Sequence, residues 1–218
     1  MQELIKTKGL VIRTGPSEEY NRRVVILTLE RGKITAFAKG ARRQTNRLMS
    51  STDLFVFADF SLYPGRSAYT LTDASVLNYF EGFRTDFEAS LYGMYFLEVC
   101  DRACAENNDE RDMLALLYQS LNALLHPDYD NPFVKMLFDL KFVMLEGEFH
   151  RDQYREGEYS ETTLYTLDYL MHTKAEKIFG FTVGERHRKE LCLIADREKK
   201  IFFGGKELKS EEMLKILG

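Results

Sequence analysis

Between positions 22 and 47 the chain carries Arg22, Arg23, Lys33, Lys39, Arg42, Arg43 and Arg47. Fixed ammonium and guanidinium groups with no neighbouring base or nucleophile do one kind of chemistry: they neutralise a polyanion, phosphate above all. The charge balance sharpens this. The net charge is −4, yet residues 1–50 hold 11 Lys and Arg against 4 Glu, a local net of +7 that leaves −11 on the remainder. So basic a block on an acidic chain points to a polyanionic partner for that block. Lys39, Arg42 and Arg43 are the first candidates, followed by Arg22, Lys33 and Arg47. Six phosphate contacts would give single-strand binding a log-log salt slope of about −4.

Aromatic rings can supply a second half of such recognition by stacking on bases. Phe37, Phe55, Phe57, Phe60, Tyr63 and Tyr69 are available. A small β-structure needs large side chains inside, and alternation places Phe55 and Phe57 on one face, so most of these rings belong to a core. Tyr63 and Tyr69, flanking Arg66 at a turn, are the stacking candidates.

Catalytic constellations are not written in the sequence. Cys100 and Cys104 lie four apart, on one face of a helix, and with Cys192 make an odd set lacking a CxxC pair. Buried structural thiols are the expectation, with no disulfide framework and no metal site. His126, His150, His172 and His187 are scattered, and no HExxH, GxSxG or Walker pattern occurs. Gly204-Gly205-Lys206 lacks the strand-to-helix context of a phosphate loop. Glu156 with Glu158, and Glu211 with Glu212, read as solvated surface. The expectation is a binding protein rather than an enzyme, without catalytic residues or cofactor.

The elements that position these groups follow from periodicity. Leu4–Arg13, Arg23–Leu29, Ile34–Ala38, Leu54–Tyr63 and Ser67–Thr72 alternate as strands, with Gly15-Pro16-Ser17, Arg31-Gly32-Lys33 and Pro64-Gly65 breaking the runs. Five short strands within 80 residues predict a small barrel, with an OB-fold ahead of an SH3-like barrel. Beyond Asp73 the period becomes 3.6. Helices are expected over Phe87–Glu98, Met113–Leu125 and Phe133–Leu145, with Asp86 and Asp109 as caps, Pro132 at the third start and Gly147 at its close. Thr162–Met171 and Glu185–Ala195 also read as helical, and Ile201–Gly205 as a hairpin or loop. The fold class is therefore α+β: an N-terminal β-barrel over residues 1–80, then an all-helical domain over 81–218 whose last 21 residues form a tail. No run has the length or apolarity of a signal peptide or membrane span, so a cytoplasmic location, associated with the nucleoid, is expected.

The first 80 residues also resemble one family. Thr7-Lys8-Gly9-Leu10-Val11-Ile12-Arg13-Thr14, then Glu19-Tyr20-Asn21-Arg22 and a strand ending Leu27-Thr28, are similar to the opening of RecO recombination mediators. Gly32-Lys33 followed by Ala38-Lys39-Gly40-Ala41-Arg42-Arg43 is the most specific part, and Phe60-Ser61-Leu62-Tyr63, Gly65 and Leu71-Thr72 extend it. The helical region fits in order and length, with Tyr92, Leu97, Glu98 and Asp101 in a family-like first helix. Members often carry a cysteine cluster after the third long helix; Glu146–Glu161 stands there without cysteine, and the tail from Ile201 departs from the pattern as well.

The resemblance implies a protein that binds single- and double-stranded DNA and anneals complementary strands. It further implies that, with RecR, the protein helps RecA replace single-strand-binding protein, whose C-terminal tail would dock on the helical domain. The rival reading of the residues alone is an OB-fold module for RNA or protein, with helices for oligomerisation.

Overall fold

The computed structural model describes residues 3–216. Five strands, β1 (Ile5–Ser17), β2 (Asn21–Thr28), β3 (Gly32–Ala38), β4 (Phe57–Tyr63) and β5 (Tyr69–Asn78), close a barrel in the order β1-β2-β3-β5-β4. All ladders are antiparallel except β3–β5. That order, with a short helix α1 (Leu48–Ser51) between β3 and β4, makes the barrel an OB-fold. β1 pairs with β4 along its first half and with β2 along its second, and a bulge between Val11 and Arg13 bends it from one partner to the other.

The barrel interior is filled as alternation requires, by Val24, Ile26, Ile34, Ala36, Ala38, Phe60, Leu62 and Leu71, with Leu48 of α1 plugging one end. Two strands run further than their composition suggests. β1 continues through Gly15-Pro16 because its β4 ladder has already ended at Leu10, so the proline's missing N–H removes no bond on that side. β5 continues to Asn78 because Ala74 and Val76 still pack on the core while Asp73, Ser75 and Leu77 face out. Phe55 and Phe57 do not share a strand face: Phe55 precedes β4 at φ 69° and packs on Phe83, 4.5 Å between centroids.

The compact unit containing the barrel comprises Met1–Thr85 and Leu97–Leu114. Within it the β2–β3 turn meets the chain around residue 105, where Lys33 N donates to Ala105 O at 3.0 Å and Asn107 N to Arg31 O at 3.0 Å. Gly32 sits at φ +59°, and a Cβ there would lie 2.1 Å from Ala105 O. Gly32→Ala should therefore lower stability by about 1 to 3 kcal/mol through backbone strain alone, with the clash in addition. Urea denaturation with an unchanged m-value is the check.

The second unit comprises Asp86–Phe96 and Ala115–Gly218. The chain's long helices are α2 (Phe87–Ala103) and α3 (Arg111–Leu124), each with residues in both units, and α4 (Asn131–Leu145), α5 (Glu161–His172) and α6 (Glu185–Phe202), followed by a short α7 (Lys209–Leu214). Their ends use the expected caps. Ala89 N donates to Asp86 Oδ1 at 2.9 Å and Arg111 N to Asp109 Oδ1 at 3.3 Å. Asp130 accepts from Phe133 N ahead of Pro132 in α4. Gly147, at φ 77°, closes α4 in a Schellman motif, with Glu148 N to Val143 O and Gly147 N to Met144 O.

α4 has ten buried residues of 15, the mark of a helix enclosed on most sides. Its buried Asp139 is held by Tyr95 Oη at 2.6 Å and Lys135 Nζ at 2.6 Å. Burial opposes the Lys135 ammonium, but Asp139 overrides it and raises the pKa.

Ile201–Phe202, expected in a hairpin or loop, instead form the last turn of α6. Phe202 and Phe203 both pack on Phe142, at 4.9 and 5.9 Å between centroids, and it is this tertiary contact that fixes the helix.

α5 and α6 are joined by a polar clamp. Hydrogen bonds from Thr163 and from the Ser160 N–H and hydroxyl hold the Glu190 carboxyl at about 2, below the ordinary 4.5. Because the folded-state value is depressed, this contribution is fully present above about pH 4.5 and is lost as pH falls toward 2. Glu190→Gln should flatten the acid limb of stability over that interval, read by far-ultraviolet circular dichroism in urea at each pH.

Candidate nucleic-acid interface

Register decides which side chains the barrel shows to solvent. Gly15 pairs with Arg23, Arg23 with Phe37, Phe37 with Thr70, and Thr70 with Tyr63, which makes one row across β1, β2, β3, β5 and β4. Val24, Ala36, Ala38, Leu62 and Leu71, the neighbours along each strand, point into the core, so the row points out. Phe37 is 37% exposed and Tyr63 41%. Nothing lies within 4 Å of where a Cβ would stand on Gly15, so the row ends over open backbone. A flat strip with two partly exposed rings and an exposed guanidinium can stack bases and neutralise phosphate together.

The loop after β3 adds the charge. Lys39, Arg42 and Arg43 are all exposed at the end of the barrel where β3 leaves and β1 turns into β2. Arg42 N donates to Tyr20 O at 3.0 Å and its Nη1 to Glu19 O at 3.1 Å. The Arg43 guanidinium lies 4.6 Å from the Tyr20 ring centroid. Tyr20, Asn21, Lys39, Arg43 and Asn46 border a cleft of about 530 Å³, which Glu18 and Glu19 also line. Among the described residues, Arg23, Lys39, Arg42 and Arg43 make no ion pair.

The other candidates are placed differently. Arg22 is a strut: its Nη1 donates to Met49 O at 2.9 Å, Thr52 Oγ1 at 3.1 Å and Asp53 Oδ1 at 2.6 Å, tying α1 to β2. Lys33 lies at the opposite end of β3 from Lys39, about 20 Å away at 3.3 Å per residue. It binds Asp101, with 3.5 Å to Oδ1 and a second bond to the backbone carbonyl. Arg47 is close to the loop cations but pairs with Asp73 at 3.5 Å and with Thr72 O at 3.0 Å, in an exposed and salt-sensitive contact. Tyr69 packs on the barrel core and is only half exposed, so of the two tyrosines Tyr63 alone shows its ring. Two members of the row, Arg23 and Phe37, escaped the selection from sequence. The flanking Ala36 and Ala38 were the available signal, since two small inward residues leave the large one between them outside.

Comparison with known families decides which barrel this is. The family model described as "Recombination protein O N terminal" matches residues 1–80, and "Recombination protein O C terminal" matches residues 84–149. The chain belongs to the RecO family. It is 26% identical to the DNA repair protein RecO of Acetivibrio thermocellus over 90% of both chains. It is 32% identical to that of Alkaliphilus metalliredigens and 33% to that of Symbiobacterium thermophilum, each over 66% of this chain but only 58% and 57% of theirs. The RecO N-terminal match encloses the whole row and the basic loop, whereas residues 150–218 lie outside both RecO matches. Among the described residues, no helix is long and apolar enough to cross a membrane.

Proposed function

We propose that this chain is a DNA-repair mediator that binds single- and double-stranded DNA on its barrel and anneals complementary strands. With RecR it would help RecA replace single-strand-binding protein, whose C-terminal tail docks on the helical domain. The functional division falls near residue 80. The observation that supports this best is the outward row Arg23–Phe37–Thr70–Tyr63 beside the unpaired loop cations Lys39, Arg42 and Arg43. Two strands repel through their phosphates, and cations that neutralise both reduce the cost of bringing them together. Rings on the row hold bases unstacked and ready to pair. No bond is made or broken, so binding groups suffice.

The test is annealing of complementary oligonucleotides coated with single-strand-binding protein, across a salt series, with and without RecR. Four phosphate contacts predict a single-strand slope of about −3. Annealing that is absent at every salt, or RNA outcompeting DNA of the same sequence, would overturn the reading.

A further inference from the structure

Arg13 stands beside the outward row without belonging to it. It pairs with Val25 while Gly15, two residues on, pairs with Arg23, and the intervening Thr14 pairs with the inward Val24, so Arg13 and Gly15 lie on the same outer side of β1. Along the strand they are about 7 Å apart. Gly15 carries no side chain and nothing lies within 4 Å of where its Cβ would stand, so no group at Gly15 separates Arg13 from the end of the row.

Its guanidinium is nevertheless turned to another partner. Arg13 Nη1 lies 3.2 Å from Oδ2 of Asp101, which belongs to the part of α2 inside the barrel's compact unit, and among the described residues Asp101 is its one ion-pair partner. The helix itself does not call for a carboxylate there. Asp101 stands in the last turn of α2, at the negative end of the helix dipole, where a cation is favoured. Its Oδ1 is buried with no hydrogen-bond partner, so the group acts through its charge. Lys33 Nζ, 3.5 Å from that oxygen, is also bound to the Asp101 backbone carbonyl. With Lys33 in place the carboxylate keeps a counter-ion even when Arg13 leaves, so moving Arg13 to a phosphate strands no buried charge.

We propose that Asp101 is a positioning residue for DNA binding, which holds the Arg13 guanidinium off the strip and so limits the phosphate track to Arg23 and the loop cations. The inference rests on the DNA-binding reading above. The Asp101 side chain is only 17% exposed, so salt screens its hold on Arg13 less than it screens a surface pair. The consequence for function is release. A surface that anneals strands has to let one go once the complement has paired with it, and one more phosphate contact slows that escape about fivefold at about 0.1 M salt. Asp101 withholds that contact.

The test is fluorescence anisotropy of a labelled oligothymidylate with the full chain across a salt series, which reads affinity and slope together. Asp101→Asn keeps the shape of the side chain and removes its charge. It should bind the strand about fivefold more tightly at about 0.1 M salt, release it about fivefold more slowly and steepen the slope from about −3 to about −3.7. Arg13→Gln alone should leave the slope at about −3, and added to Asp101→Asn it should restore that value. A brace that merely ties α2 to the barrel would shift the melting temperature in both single variants and the slope in neither. An unchanged slope in Asp101→Asn, a gain that persists in the double variant, or a shallower slope in Arg13→Gln would each overturn the proposal. Asp101→Ser, which also removes the charge, is the second variant, and loss of cooperative urea unfolding in both would make Asp101 a brace and overturn it as well. A parent chain without salt-dependent single-strand binding would instead sink the DNA-binding reading itself.

Discussion

Replacing Lys39, Arg42 and Arg43 together by alanine is expected to weaken single-strand binding about a hundredfold at about 0.1 M salt and to leave the fold intact. A slope of about 0.7 per phosphate makes each contact worth about fivefold at that salt relative to 1 M, and three such factors multiply to the stated loss. The slope itself should fall from about −3 to about −0.7, because Arg23 remains as the unpaired cation of the row. Stability should change little. The three side chains are exposed, and only the Arg42–Glu19 carbonyl bond and the Arg43–Tyr20 contact are given up. Arg22→Ala is the contrast. It removes three bonds that tie α1 to β2 and should lower the melting temperature, with binding lost only in step with unfolding. An unaltered salt slope in the triple variant would mean that the phosphates are met elsewhere.

The reason Arg22 and Lys33 could not be separated from the loop cations in the sequence is distance along the chain. Asp53 lies 31 residues from Arg22, and Asp101 lies 68 from Lys33. Until the fold brings these carboxylates in, all the cations look alike. What could be read was local. Strand alternation gave the five barrel strands, and Asp86, Asp109, Pro132 and Gly147 mark helix ends through effects confined to a few residues. β5 was cut short because its outward Asp73, Ser75 and Leu77 mix polar and apolar types. α6 was cut short because Ile201-Phe202-Phe203 has strand composition, and only Phe142, some 60 residues earlier by the order of the sequence, settles it as helix.

The same limit governed the aromatic residues. From the sequence Phe37 reads as a core ring and Tyr69 as a stacking candidate. The side is set by the parallel β3–β5 ladder, in which Ala36 meets Tyr69 and Phe37 meets Thr70. That pairing joins strands more than 30 residues apart, and a slip of one residue would have put both rings on the same face. The exposed pair is therefore Phe37 and Tyr63, a consequence of register rather than of residue type.

Replacing that pair, Phe37→Ala with Tyr63→Ala, should separate the two halves of recognition. Base–ring stacking contributes about 1 to 3 kcal/mol per base, so losing both rings should weaken single-strand binding by at least about thirtyfold. Duplex affinity should barely move, since paired bases are already stacked on one another and expose only their backbone and groove edges. The salt slope should also stay near its original value, because no cation has been removed. Each ring is partly covered by its strand neighbours, so a stability loss of about 1 kcal/mol is expected and Phe37→Leu with Tyr63→Leu serves as the control that keeps apolar cover without an aromatic face. If the leucine variant binds single strands as well as the parent, the rings act only as apolar surface and no stacking takes place. If duplex and single-strand affinity fall together, the row shapes the basic loop rather than contacting bases. Only a selective single-strand loss at constant slope fits a barrel that grips phosphate with its loop and bases with its sheet.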